Sequence, residues 1–248
     1  MKSLKDKVAV VTGGNSGIGF ATAKELIAQG ATVIITGLRK EALEKAANDI
    51  GATAYVSNQA NLEDTDSLVT LIGEKFGKVD ILVINAGVAK FAPIEFTQED
   101  LFDRIMNVNF KGAYFTLSKF IPQLNDNASV VLISSNAGTI SSPYTSVYAA
   151  SKAAINSLTK IAAAELSSRK IRVNAVSPGP TDTEIATKMD LDEASINTMI
   201  EKLLKEIPLS KVGLPEDVAK LVVYLSSEHA SFITGAEFVI DGGQMLKQ

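Results

Sequence analysis

Short apolar runs that lack any polar alternation, each followed by a longer helical stretch, recur along this sequence. Val8–Val11, Thr32–Thr36, Ala54–Val56, Ile81–Ile84, Val130–Ile133 and Val173–Val176 are the runs. A strand with one face in water alternates apolar with polar residues, so these strands must be covered on both faces. Buried parallel strands need crossover connections, and Ile18–Gln29 before Gly30, Lys40–Ile50 before Gly51 and Leu62–Phe76 before Gly77 supply them. Glycine after the last helical residue is the expected stop. With right-handed crossovers the pattern predicts an α/β fold: a doubly wound parallel sheet in three layers, α/β/α. The 248 residues hold no Pro-rich linker, repeat or low-complexity block, which predicts one domain spanning 1–248. Ligands of such sheets sit at the carboxyl ends of the strands.

Those strand ends carry the informative residues. The first strand runs into Thr12-Gly13-Gly14-Asn15-Ser16-Gly17-Ile18-Gly19 and then directly into a helical pattern. Glycines let the backbone turn tightly and approach a pyrophosphate, and the helix N-terminus offers unpaired N–H groups to the anion, so the ligand expected here is a dinucleotide. The spacing Gly-x3-Gly-x-Gly differs from the commoner Gly-x-Gly-x2-Gly fingerprint. Asn85-Ala86-Gly87, Ser134-Ser135 and Pro178-Gly179-Pro180-Thr181 follow later strands and outline one crevice. Other chemistries find little support. Twenty-four Lys plus Arg stand against twenty-eight Asp plus Glu, with no basic stripe, so no nucleic-acid partner is expected. With no cysteine, a disulfide scaffold, a thiolate metal site and a cysteine nucleophile are excluded, and no metal is expected. The start, Met1 to Lys7, is charged, and no run approaches the roughly 20 apolar residues of a membrane span, so no membrane partner and a cytoplasmic location are expected.

Tyr148 and Lys152 stand one helical turn apart in a segment that reads as helix, so both project from one face. With these residues in place the sequence resembles the short-chain dehydrogenase/reductase family, and its ketoreductase branch in particular. The match runs from Thr12–Gly19 through Asn85-Ala86-Gly87, Asn109, Ser135, Tyr148/Lys152 and Pro178-Gly179 to Asp241-Gly242-Gly243. The resemblance implies a Rossmann-type fold, a catalytic tetrad of Asn109, Ser135, Tyr148 and Lys152, and NAD(H) or NADP(H) as cofactor. It also implies that the cofactor is held by Gly13, Asn15, Ser16, Gly17, Ile18 and Gly19, by Gly37, Leu38 and Arg39, and by Asn58 and Gln59. Asn85, Ala86 and Gly87, then Pro178, Gly179, Thr181 and Thr183, complete that set together with Tyr148 and Lys152. Asn109 resembles the family's helix-kink asparagine, thought to hold a water that connects the lysine to solvent.

Physical chemistry assigns tasks to the tetrad. A phenol near pKa 10 is a poor proton-transfer partner near neutrality, so the site is expected to lower the pKa of Tyr148. A lysine ammonium about 4.5 Å away, at an effective dielectric of about 20, contributes roughly 3–4 kcal/mol, or two to three pKa units. Ser135 is expected to donate to the carbonyl oxygen and orient the ketone. His229, the single histidine, lies near the C-terminus in Ser226-Ser227-Glu228-His229, which leaves a Ser-His-Asp hydrolase little to stand on.

The expected activity is reversible hydride transfer between NAD(P)H and a ketone or aldehyde. Two further readings stay open: a 3-oxoacyl-carrier-protein reductase, which should also show a basic docking patch, and a catalytically silent dinucleotide-binding or redox-sensing protein. Three departures from the family bear on detail. Ile84 precedes Asn85 where an asparagine is common, Asn58 replaces the acidic residue that often contacts adenine, and Leu38 takes the place where a carboxylate or a cation selects the cofactor. NAD and NADP are therefore not separated. Residues 181–207, with Ile185 and Met189, are expected to cover the substrate and to favour small neutral ketones, a core-packed helix pair being the alternative reading of the same amphipathic pattern. A homotetramer or dimer is implied by the resemblance, with the apolar stretch 232–240 as one surface for it, an internal edge strand being the alternative.

Overall fold

In the computed structural model residues 4–182 and 204–247 are described. The strands are β1 (Val8–Val11), β2 (Thr32–Gly37), β3 (Thr53–Val56), β4 (Val79–Ile84), β5 (Leu124–Ile133), β6 (Arg172–Pro178) and β7 (Glu237–Ile240). They form one sheet in the order β3-β2-β1-β4-β5-β6-β7, and every pairing is parallel. The helices that matter for the site are α1 (Gly17–Ala28), α2 (Lys40–Ile50), α3 (Leu62–Lys75), α4 (Glu99–Met106), α5 (Ala113–Phe120), α6 (Ser146–Glu165) and α7 (Pro215–Ser226).

The missing polar alternation has a direct structural cause. Along β1, Ala9 and Val11 pack in one core with Leu26 of α1, Leu43 of α2 and Val222 of α7. Val10, between them, packs in the opposite core with Ile72 of α3, Leu117 of α5 and Ile155 of α6. Both faces of the sheet are thus apolar, and the expected three-layer fold is the one observed. Gly51 ends α2 at φ +77°, a left-handed conformation that glycine adopts without a Cβ clash.

Strand lengths differ from the apolar runs in one instructive place. β5 begins at Leu124, six residues before Val130, and includes Asn125, Asp126 and Asn127. Its pairing with β4 shifts register between Val79 and Ile81, and polar residues occupy that irregular end. The stretch 232–240 contributes β7, which lies at the edge of the sheet beside β6. Among the described residues no helix is long and apolar enough to cross a membrane. Strand order reverses between β1 and β4, and at this switch the loops after β1, β4, β5 and β6 line one crevice.

Candidate active site

The glycine loop is fitted to a ligand that needs close backbone approach. Gly13 has φ +64°, and a Cβ there would stand 2.9 Å from Ala86 Cα; at Gly19 it would stand 2.2 Å from Gly13 O. Neither place admits a side chain. Ser16, the residue before α1, is extended and does not cap the helix with its side chain, which leaves the first-turn N–H groups available to an anion. Asn85 stitches the loops together: its Nδ2 donates to Thr12 O and Gly13 O at 2.9 and 3.0 Å. The Asn85 and Ala86 N–H groups both donate to Thr12 Oγ1. A phosphate-bearing dinucleotide fits this cradle of small residues and free donors.

Beside the loop lies a cavity of about 370 Å³ whose lining includes Asn15, Ser16, Gly17, Arg39, Lys45 and Asp49. Gly37 lies so close to Asn15 that a Cβ would meet its Oδ1 at 2.8 Å. Leu38 is 65% exposed and carries no charge to the cavity; Arg39 does line it. At the end of β3, Asn58 uses its groups locally, its N–H donating to Asp64 and its Oδ1 accepting from Ala60 N. The Gln59 side chain is buried and bonded to Ala86 O and Val108 O.

The other half of the crevice holds the residues expected to form the tetrad. Tyr148 and Lys152 lie on the first turns of α6, and Ser135 follows β5. Lys152 Nζ donates to Ile133 O at 2.8 Å and stands 5.8 Å from the Tyr148 ring centroid. Ser135 Oγ accepts from Ala137 N at 3.2 Å and donates to Pro178 O at 3.5 Å, close enough to the Tyr148 phenol to favour its charged form. Asn109 sits in a π-helical turn, Asn107–Gly112, that kinks the helix formed by α4 and α5. Its side chain accepts from Val88 N and donates to Val88 O and Ser151 Oγ. Four residues expected from the sequence, Asn109, Ser135, Tyr148 and Lys152, are thus brought together.

One expectation is corrected. The Tyr148 pKa is raised above 10.0, because burial opposes the phenolate more than the Ser135 hydrogen bond favours it. Burial also pulls Lys152 down to about 8. The loss of water on burial opposes charging both groups and outweighs the expected attraction between the charges.

Pro178, Gly179 and Thr181 border the crevice after β6. Gly179 N donates to Ile240 O, and Thr181 bridges to Gly213. Thr183, Ile185, Met189 and most of the stretch 181–207 lie outside the described residues. His229 is exposed in a short 3-10 turn, Glu228–Ala230. Two site residues escaped the sequence reading. Ser151 is fully buried and donates to Tyr148 O at 2.7 Å; its place between Tyr148 and Lys152, on the third residue of the turn, was the available signal. Phe91 packs edge-on against the Tyr148 ring at 5.8 Å and 89°. An aromatic four residues beyond the Gly87 strand end gave only a weak hint, since nothing in a loop sequence says where it folds back.

A family model described as enoyl-(acyl carrier protein) reductase matches residues 13–245. The chain belongs to the short-chain dehydrogenase/reductase family. A 3-oxoacyl-[acyl-carrier-protein] reductase of Thermotoga maritima is 36% identical over 98% of this chain and 99% of its own. An NADP-dependent (R)-specific alcohol dehydrogenase of Lentilactobacillus kefiri is 37% identical over 97% of each chain. The crystal structure of a family member from Brucella melitensis superposes with a TM-score of 0.89 at 28% identity, over 98% of both chains. As a short-chain dehydrogenase/reductase the protein is an NAD(P)-dependent oxidoreductase.

Proposed function

We propose that the protein reversibly reduces small neutral ketones or aldehydes to alcohols, with Tyr148 as the general acid. The observation that carries this reading is the cluster of buried Ser135 and Lys152 with partly buried Tyr148 at the carboxyl edge of the sheet, next to the glycine loop. The cofactor would lie along Gly13–Gly19, Asn85–Gly87 and Pro178–Thr181, and when bound it supplies the hydride.

The chain's own residues do the rest. Ser135 donates to the carbonyl oxygen and holds it at the Tyr148 phenol. Tyr148, with its pKa raised, is a neutral O–H at physiological pH and delivers its proton to the oxygen as negative charge develops there. Lys152, held by Ile133 O, places positive charge below the ring and stabilises the phenolate that remains. Asn109 keeps the Val88 loop in place and fixes Ser151, and through it the backbone of α6. Phe91 makes the wall beside the phenol apolar, which supports uncharged, moderately hydrophobic substrates over keto acids.

A second reading, reduction of a 3-oxoacyl group carried on acyl carrier protein, is favoured by the Thermotoga maritima relative and uses the same residues. A panel of aryl ketones, keto esters, keto acids and a 3-oxoacyl thioester, assayed with NADH and with NADPH, tests both. Neutral ketones should give the highest kcat/KM. Equal or better efficiency with keto acids overturns the substrate reading, and a clear preference for the carrier-bound thioester moves it to the second. A homotetramer or dimer is part of the same reading, supported by Phe232, which is wholly exposed. Light scattering at micromolar concentration checks it, and a monomer refutes it.

A further inference from the structure

Gln59 lies just past β3, on the adenosine side of the crevice, and is only 7% exposed. Its Nε2 donates in two directions, to Ala86 O at 3.0 Å and to Val108 O at 3.1 Å. Both partners are main-chain carbonyls, so only the NH2 end of the amide can face them. Ala86 belongs to the loop after β4 that packs on the glycine turn. Val108 belongs to the π turn of the kinked helix.

A π turn shifts backbone pairing by one residue, to i→i+5. At its end the Ala113 N–H bonds Phe110 O, and from outside the helix Gln59 Nε2 donates to Val108 O. The approach is close because residue 112 is glycine: a Cβ there would stand 2.4 Å from Gln59 O and 2.9 Å from Gln59 Cγ. The residue after Val108 is Asn109, whose amide grips both polar groups of Val88 and donates to Ser151 Oγ. Ser151 in turn donates to Tyr148 O. Gln59 Oε1 is buried without a hydrogen-bond partner among the described residues. An apolar residue of the same length would fill this space without that unpaired oxygen, so the bridging Nε2 is what distinguishes glutamine here.

We propose that Gln59 is a positioning residue: its amide clamps the Val108 carbonyl of the helix kink to the Ala86 loop, and so fixes Asn109 and the backbone that carries Tyr148. The inference rests on the tetrad reading above. Gln59→Met keeps the bulk and removes the donor. With saturating cofactor and a neutral ketone its kcat should fall about tenfold or more, while the cofactor Kd from nicotinamide fluorescence changes less than about threefold. Gln59→Glu should recover toward the wild-type rate, compared at equal pH, as the pH is lowered, because the protonated carboxyl regains an O–H donor. Hydrogen exchange, read without substrate, should speed up about tenfold at the amides of 86–90 and 107–113 in Gln59→Met, even in a partly destabilised variant. Unchanged exchange in those segments overturns the clamp. So does a Kd weakened tenfold with kcat intact, which would make Gln59 a cofactor contact instead. Wild-type protein that reduces no carbonyl defeats the tetrad reading, and the exchange result then still decides the clamp.

Discussion

The adenosine half and the reactive half of the crevice are built on different physical terms. On the β2 side Leu38 is 65% exposed, and Arg39 lies at the surface of its cavity. On the β4 to β6 side Asn109, Ser135 and Lys152 are 2%, 8% and 5% exposed, each fixed by hydrogen bonds to main-chain groups. Exposed charges act through water and salt, so each one changes affinity by a modest factor. Buried groups act in a low dielectric with their partners already in place, and losing one is felt in full. On the proposed reading, cofactor choice is therefore a matter of adjustable surface residues, and proton transfer a matter of a fixed interior.

The sharpest way to break this contrast is Tyr148→Phe. It should lower kcat by about three powers of ten while cofactor fluorescence gives a Kd within about threefold of wild type. Near-normal turnover would remove the reactive half from the chemistry.

Lys152→Met should abolish turnover yet stabilise the fold. The lysine pKa falls from 10.5 to about 8 on folding, so below pH 8 the protonated side chain costs roughly 3 kcal/mol. The cost fades as pH climbs from about 8 toward 10.5, where the side chain is neutral in the unfolded chain too. Denaturant melts should therefore show Lys152→Met more stable by up to about 3 kcal/mol at pH 7, less the lost bond to Ile133 O, with the gain shrinking above pH 8. A gain that does not depend on pH would mean that burial is not what lowers this lysine.

The smallest effect belongs to the exposed half. Leu38→Arg should raise the NADPH/NADH ratio of kcat/KM by about ten- to a hundredfold, since one charge-assisted bond contributes roughly 1.5–3 kcal/mol. Leu38→Asp should shift the ratio toward NADH. Both shifts should weaken as salt is added, unlike the loss in Tyr148→Phe. If neither substitution moves the ratio, residue 38 does not face the adenosine ribose.

Much of the fold was legible because its signals are local. An apolar run without alternation, as at Val8–Val11, demands cover on both faces whatever the rest of the chain does, and Gly51 stops α2 through its own φ. The polar beginning of β5, Leu124 to Asn127, was not legible, because pairing with β4 holds it in the sheet and its composition does not.

Residue type and spacing carry the information for the parallel sheet, for the place of the glycine loop, and for which side chains are chemically able to move a proton. Tertiary structure alone decided what those groups experience. Desolvation raises Tyr148 and lowers Lys152, Phe91 folds back onto the phenol, and the Gln59 amide crosses from β3 to the π turn. Burial and contacts between distant segments set these properties, and both arise only when the segments pack together.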